Sequence, residues 1–167
     1  MGNTDLVLRE DDYRDMLRIA EKLLRQANAR YVGLIDRNGQ PIVAAGSLPD
    51  VDGTALASLA AGNVAATEGL ANLIGETTFS ALYHEGEHDH LHLSSVGGSA
   101  ILLVTFDERS SLGLVRLRVR QITPEIEEAL ETMLSRSKAG VGASSHETVP
   151  LAEITDEDID GLFGDAL

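Results

Sequence analysis

The chain has 167 residues, enough for one compact domain with a short tail and too few for two full-sized domains. Its 13 Lys and Arg face 27 Asp and Glu, a net charge of −14, so neither a nucleic-acid binder nor a protein held on an anionic membrane surface is expected. With 43% hydrophobic residues and no cysteine, the composition fits a folded cytoplasmic protein without disulfides, Cys-ligated zinc or a Cys nucleophile.

The opening, MGNTDL, lacks the apolar core of a signal peptide, and Leu6 stands where a myristoylation site wants Ser or Thr. Over residues 11–27, Tyr13, Met16, Leu17, Ala20, Leu23, Leu24 and Ala27 recur at steps of three and four and predict an amphipathic helix. Residues 29–36 then have strand length and apolarity. Asn38-Gly39 suits the positive φ angles of a two-residue hairpin turn, and residues 41–45 form the returning strand, with Pro41 at its tolerated first position.

Asp52 or Thr54 can cap a second helix over residues 55–74, ALASLAAGNVAATEGLANLI, in which Glu68 is the only charge. A membrane span is a poor alternative for this text: it is mostly Ala and Gly and carries Asn63, Glu68 and Asn72. Three strands follow at residues 79–85, 91–96 and 100–106, and the last, continuously apolar, belongs at the centre of a sheet. Residues 112–134 are ambiguous. Val115, Leu117 and Val119 alternate with arginines as in a strand, while Leu112, Val115, Val119, Ile122, Ile126, Leu130 and Met133 make one helical stripe. The longer window favours helix, with Pro124 best suited to the first turn of a new one. Residues 1–137 thus read as the domain and 138–150 as a flexible Gly/Ala/Ser-rich linker. Residues 151–167 read as an acidic amphipathic tail with Ile159, Leu162 and Phe163 on its apolar edge.

Three features could carry chemistry or binding. His88, His90 and His92 would share one face of a strand and could hold zinc, but an exposed charged hairpin accounts for them as well, and no metal or cofactor is assigned. No phosphate-binding glycine loop, nucleophile elbow or acid/base carboxylate pair is present, so the chain does not read as an enzyme. On the second helix, Ser58, Ala61, Gly62, Ala65, Gly69 and Leu73 form a face nearly bare of side chains. Either it packs closely on its own sheet or a second protein surface covers it, and the latter is favoured because the helix has almost no surface-type residue for any face. Arg116, Arg118 and Arg120, near Arg109, read either as a solvated face paired with carboxylates or as a contact for an acidic partner.

The element order and four stretches of text carry a resemblance: LASLAAGNVAATEGLANLIGE (56–76), YHEGE (83–87), ILLVTFDERSSLGLVRLRV (101–119) and AEITDEDIDGLF (152–163). Together they resemble the Roadblock/dynein light-chain family, and within it the bacterial branch that partners a small Ras-like GTPase of the MglA type in cell polarity and gliding motility. The resemblance implies a fold of order α-β-β-α-β-β-β-α, with a five-stranded, mostly antiparallel sheet, three helices and a C-terminal tail. It also implies helix for residues 112–134, and a homodimer formed through the second helix and third strand. The implied activity is stimulation of the GTPase by rearranging that protein's own catalytic residues, so Arg37, Arg109 and Arg116 need not be catalytic. A stimulation-free homodimeric scaffold is the alternative. The implied partner-binding residues are Ser58, Ala61, Gly62, Ala65, Gly69 and Leu73 on the helix, with Ile159, Leu162 and Phe163 as a second contact. The implied location is the cytoplasm, with a cell pole as a candidate site of concentration.

Overall fold

Strand β5 (Ala100–Phe106), seven residues buried without exception, lies at the centre of the sheet as its unbroken apolar run predicts. In the computed structural model, which describes residues 9–143 and side chains as far as residue 137, it pairs with β1 (Tyr31–Asp36) on one side and β4 (His90–Val96) on the other. The strands β2 (Pro41–Gly46) and β3 (Ala81–His84) complete an antiparallel sheet of order β2-β1-β5-β4-β3. Helices α1 (Glu10–Gln26), α2 (Gly53–Leu73) and α3 (Leu112–Ala143) complete the order α-β-β-α-β-β-β-α.

Alternation along the strands sends two sets of side chains to opposite faces. Val32, Leu34, Val96, Leu102, Val104 and Phe106 meet Met16, Ile19 and Leu23 of α1 and Val115, Val119, Ile122 and Met133 of α3. Ile35, Leu93, Ile101 and Leu103 instead meet α2, whose sheet-facing residues are the small Ala57, Ala60, Ala61 and Val64. Three ion pairs tie α1 to α3: Arg136 donates to the buried Asp12 at 2.6 Å, and Lys22 at 2.7 Å and Arg18 at 3.4 Å donate to Glu125, so the helices run antiparallel. Ile19 and Asp12 are buried on α1 although the apolar periodicity does not single them out.

Several local expectations are corrected. The β1–β2 connection is not a two-residue turn: Gly39 N–H donates to Asp36 C=O, Asp36 N–H donates to Gln40 C=O, and only Gly39 (φ 84°) has positive φ. That is a type I turn followed by a left-handed residue, with Asp36 Oδ1 accepting from Asn38 N–H and Gln40 N–H at 2.8 Å each. Pro41 does open β2, an edge strand where its missing amide costs nothing. Pro124 starts no new helix; it lies inside α3 on an exposed position, and packing of the stripe on either side carries the helix through it. α3 also continues past Lys138, where the sequence places a linker, to Ala143. Its last residues belong to the second of two units, residues 138–167. The expected tail positions Ile159, Leu162 and Phe163 lie outside the described residues.

His92 does not join a three-imidazole array. β4 begins at His90, leaving His88 in the preceding loop, and His92 is 2% exposed under α3. Burial, helped by the positive charge of Arg116, lowers its pKa from 6.5 to about 4. A His with a depressed pKa keeps its stabilising contribution above pH 6.5 and loses it as pH falls toward 4, because the unfolded chain takes the proton first. About 3 kcal/mol is lost over that window. Thermal melts of the wild type and His92→Gln between pH 7 and 4 check this: the wild-type curve falls more steeply than the variant's.

Candidate protein-binding site

The second helix is seated by three local devices. Asp52 caps it, its carboxylate accepting from Thr54 N–H at 2.9 Å and Ala55 N–H at 3.3 Å. At the other end Gly75 takes φ 82° and ends the helix. Between them, Arg37 on the β1–β2 loop donates to Glu68, the one charge of α2, at 2.6 Å. The loop also lies hard against the first turns of the helix, since a Cβ placed on Gly39 would come within 2.8 Å of Ser58 Cα.

With the sheet face filled by Ala57, Ala60, Ala61 and Val64, the opposite face is left to solvent. Every exposed residue of α2 is uncharged. Of the six helix positions that the sequence proposes for partner binding, Ser58, Gly62, Ala65, Gly69 and Leu73 are exposed, and Gly62 and Gly69 have open space where a Cβ would stand. Ala61 is corrected: it is 7% exposed and packs in the core beside Ala60 and Val64. The stripe of small residues therefore straddles two faces, one turned inward and one outward.

The outward face also carries residues that the bare stripe misses. Leu59 is 74% exposed and Leu73 83%, with Leu70 and Ile74 exposed between and beyond them. Leu59, Ala66, Leu70 and Leu73 are spaced by seven, four and three, so a second apolar line one position off the glycines was visible in the text. Large side chains along the rim and small ones at Gly62, Ala65 and Gly69 make a shallow apolar channel, the shape that a partner helix or loop can enter closely. Asn63 Nδ2 lies 3.0 Å from His84 Nε2, linking this helix to β3, the edge strand whose outer side has no ladder partner among the described residues.

Arg37 is held by Glu68, and Arg109 by Asp107 at 2.9 Å, which lowers the Asp107 pKa through that hydrogen bond. Among the described residues no group of three His, Asp or Glu is arranged to hold a metal ion, and no helix is long and apolar enough to cross a membrane. Because the loop supports α2 through Gly39, Gly39→Ala, strained in φ and pressed on Ser58, is expected to cost about 1–3 kcal/mol. Urea unfolding measures it, and Asn38→Ala, one residue away, serves as the mild control.

The family model of the Roadblock/LC7 domain matches residues 17–106. Myxococcus xanthus MglB is similar at 45% identity, over 76% of this chain and 96% of that chain, with TM-score 0.71. The gliding protein MglB from Thermus thermophilus is similar at 35% identity, over 77% of this chain and 97% of that chain, with TM-score 0.70. A Roadblock/LC7 domain from Streptomyces avermitilis, at 15% identity and TM-score 0.63 over 69% of this chain and 97% of that chain, shares the fold. No curated protein sequence matches. A domain match over residues 17–106, an MglB-like relative at 45% identity and the observed α-β-β-α-β-β-β-α order agree, and the chain belongs to the Roadblock/LC7 family.

Proposed function

We propose that this chain is an MglB-type regulator that works as a homodimer and stimulates GTP hydrolysis by a small Ras-like GTPase of the MglA type, in bacterial cell polarity and motility. The observation that carries the reading is the uncharged outer face of α2, which a monomer in water has no use for, on a chain 45% identical to M. xanthus MglB. Dimerisation through α2 and the free edge of β3 would cover part of this surface and remove an open strand edge. The rest of the helix face, with Ser58, Gly62, Ala65, Gly69 and Leu73, meets the GTPase, and the tail positions Ile159, Leu162 and Phe163 supply a second contact. Ala61 acts from within, by seating the helix.

The regulator contributes shape rather than a reacting group. An arginine finger stabilises the charge of phosphoryl transfer directly and accelerates it by about 10³–10⁵. Here Arg37 and Arg109 are engaged by Glu68 and Asp107, and Arg116 on α3 lies across the sheet from α2, which supports stimulation by shifting the GTPase's own catalytic residues into place.

The test is single-turnover GTP hydrolysis by the MglA-type GTPase of the same organism, with and without this protein. Stimulation supports the reading; binding without stimulation makes the protein a homodimeric scaffold instead. In the double variant Ala65→Arg with Gly69→Arg, both side chains start from exposed positions, Gly69 with open space above it, so the helix is expected to stay folded by circular dichroism. Two charges at the centre of the contact should cost at least ~2 kcal/mol, about 30-fold in affinity, and abolish stimulation. A folded, fully active double variant contradicts the assignment of the face.

A further inference from the structure

On this acidic protein eight of the twelve Lys and Arg among the described residues have a carboxylate within 4.0 Å, Lys22 being one of them. Arg14, Arg18, Arg25, Arg30, Arg37, Arg109 and Arg136 each have a carboxylate within 4.0 Å. Arg9, Arg116, Arg118 and Arg120 have none among the described residues, although the chain holds 27 Asp and Glu, and three of the four lie on α3. Of the two readings that the sequence allows for these arginines, pairing with neighbouring carboxylates is therefore not realised.

Helix geometry places two of them together. Val115 and Val119 are buried inward, so Arg116 and Arg120, one turn apart, project along one flank, with Leu117 beside them. Leu117 is 49% exposed. Arg118 points to the other flank, where Nη1 donates to Gln121 at 2.9 Å. α1 packs on β1 and β2, on the other side of β5 from β4, and the charge of Arg116 is felt by His92 on β4. α2 lies on the opposite face of the sheet, which separates this surface from the one assigned to the GTPase.

We propose that the Arg116–Leu117–Arg120 flank of α3 docks a short acidic segment of a partner protein, one with two carboxylates about a helical turn apart and an apolar side chain between them. The spacing follows from the arginines, each able to fork onto one carboxylate, and the apolar residue from the exposed Leu117. A long polyanion fits worse: net charge −14 repels it at range, and two arginines neutralise few phosphates. A short segment avoids most of that repulsion and gains the apolar contact.

The probe is a synthetic 16-residue helical peptide of Glu, Leu and Ala, with fluorescence anisotropy on the full-length protein. Wild type is expected to bind it, and Arg116→Glu with Arg120→Glu to weaken binding at least about tenfold. Arg116→Gln with Arg120→Gln, neutral and gentler on the fold, should show a smaller loss in the same direction, and Leu117→Ala a loss of about threefold to fivefold. Gly69→Arg, on the far side of the sheet, should leave peptide binding unchanged even where GTPase stimulation is lost, so the two surfaces can fail independently. The proposal is overturned if the wild type does not bind the peptide, if a Lys/Leu/Ala peptide binds as well, or if the arginine variants bind it undiminished. It is equally overturned if a single-stranded oligonucleotide of matched charge binds the same arginines as tightly, which would make the flank a polyanion site.

Discussion

Contact between a helix of small residues and a sheet of large ones is what the rest of this molecule depends on. Ala57, Ala60, Ala61 and Val64 of α2 meet Ile35, Leu93, Ile101 and Leu103, so the sheet supplies the bulk of the packing and the helix supplies close approach. A helix that settles this way needs few large residues inward and has room to be uncharged outward. Its only charge, Glu68, is turned to the side and neutralised by Arg37 on the β1–β2 loop. The same loop is pressed on Ser58, so the helix that carries the outer face is braced at its first turns.

Much of this was legible in the sequence. The unbroken apolar run of β5, the Ala/Gly text of α2 and the heptad-like stripe of α3 each announce themselves through period and length, and their tertiary roles agree with their local preferences. Misreadings arose where two rules compete at one residue. Asn38-Gly39 is the favoured pair for a tight two-residue turn, but Asp36, hydrogen-bonded to two following amides, stabilises a longer loop with one positive φ. Pro124 argues for a helix start, but burial of Ile122, Ile126 and Leu130 outweighs one missing amide bond.

The binding face shows the limit of periodicity more sharply. Steps of three and four around small residues admit two neighbouring stripes, and only the packed sheet separates them: Ala61 inward, Gly62, Ala65 and Gly69 outward. The burial of His92 was invisible for a related reason. Its neighbours on β4 suggest a charged hairpin, whereas its place beneath α3 depends on a pairing with β5 that no local window contains. The sheet also separates the two surfaces: an outer face of α2 with no exposed charge on one side, and Arg116 and Arg120, without a carboxylate partner among the described residues, on the other. The two proposed contacts would therefore not compete for the same side chains.

The central claim is that another protein surface covers the outer face of α2. The chain has no cysteine, so Ala66→Cys introduces one unique thiol at the middle of that face for a nitroxide label, and Glu108→Cys gives a reference at an exposed position elsewhere. Electron paramagnetic resonance line shapes are then recorded with and without the MglA-type GTPase. A label at position 66 that is immobilised when the GTPase is added, while the label at position 108 stays mobile, is the predicted result. Equal mobility at both positions, in a sample whose GTP hydrolysis is still stimulated, would contradict the account.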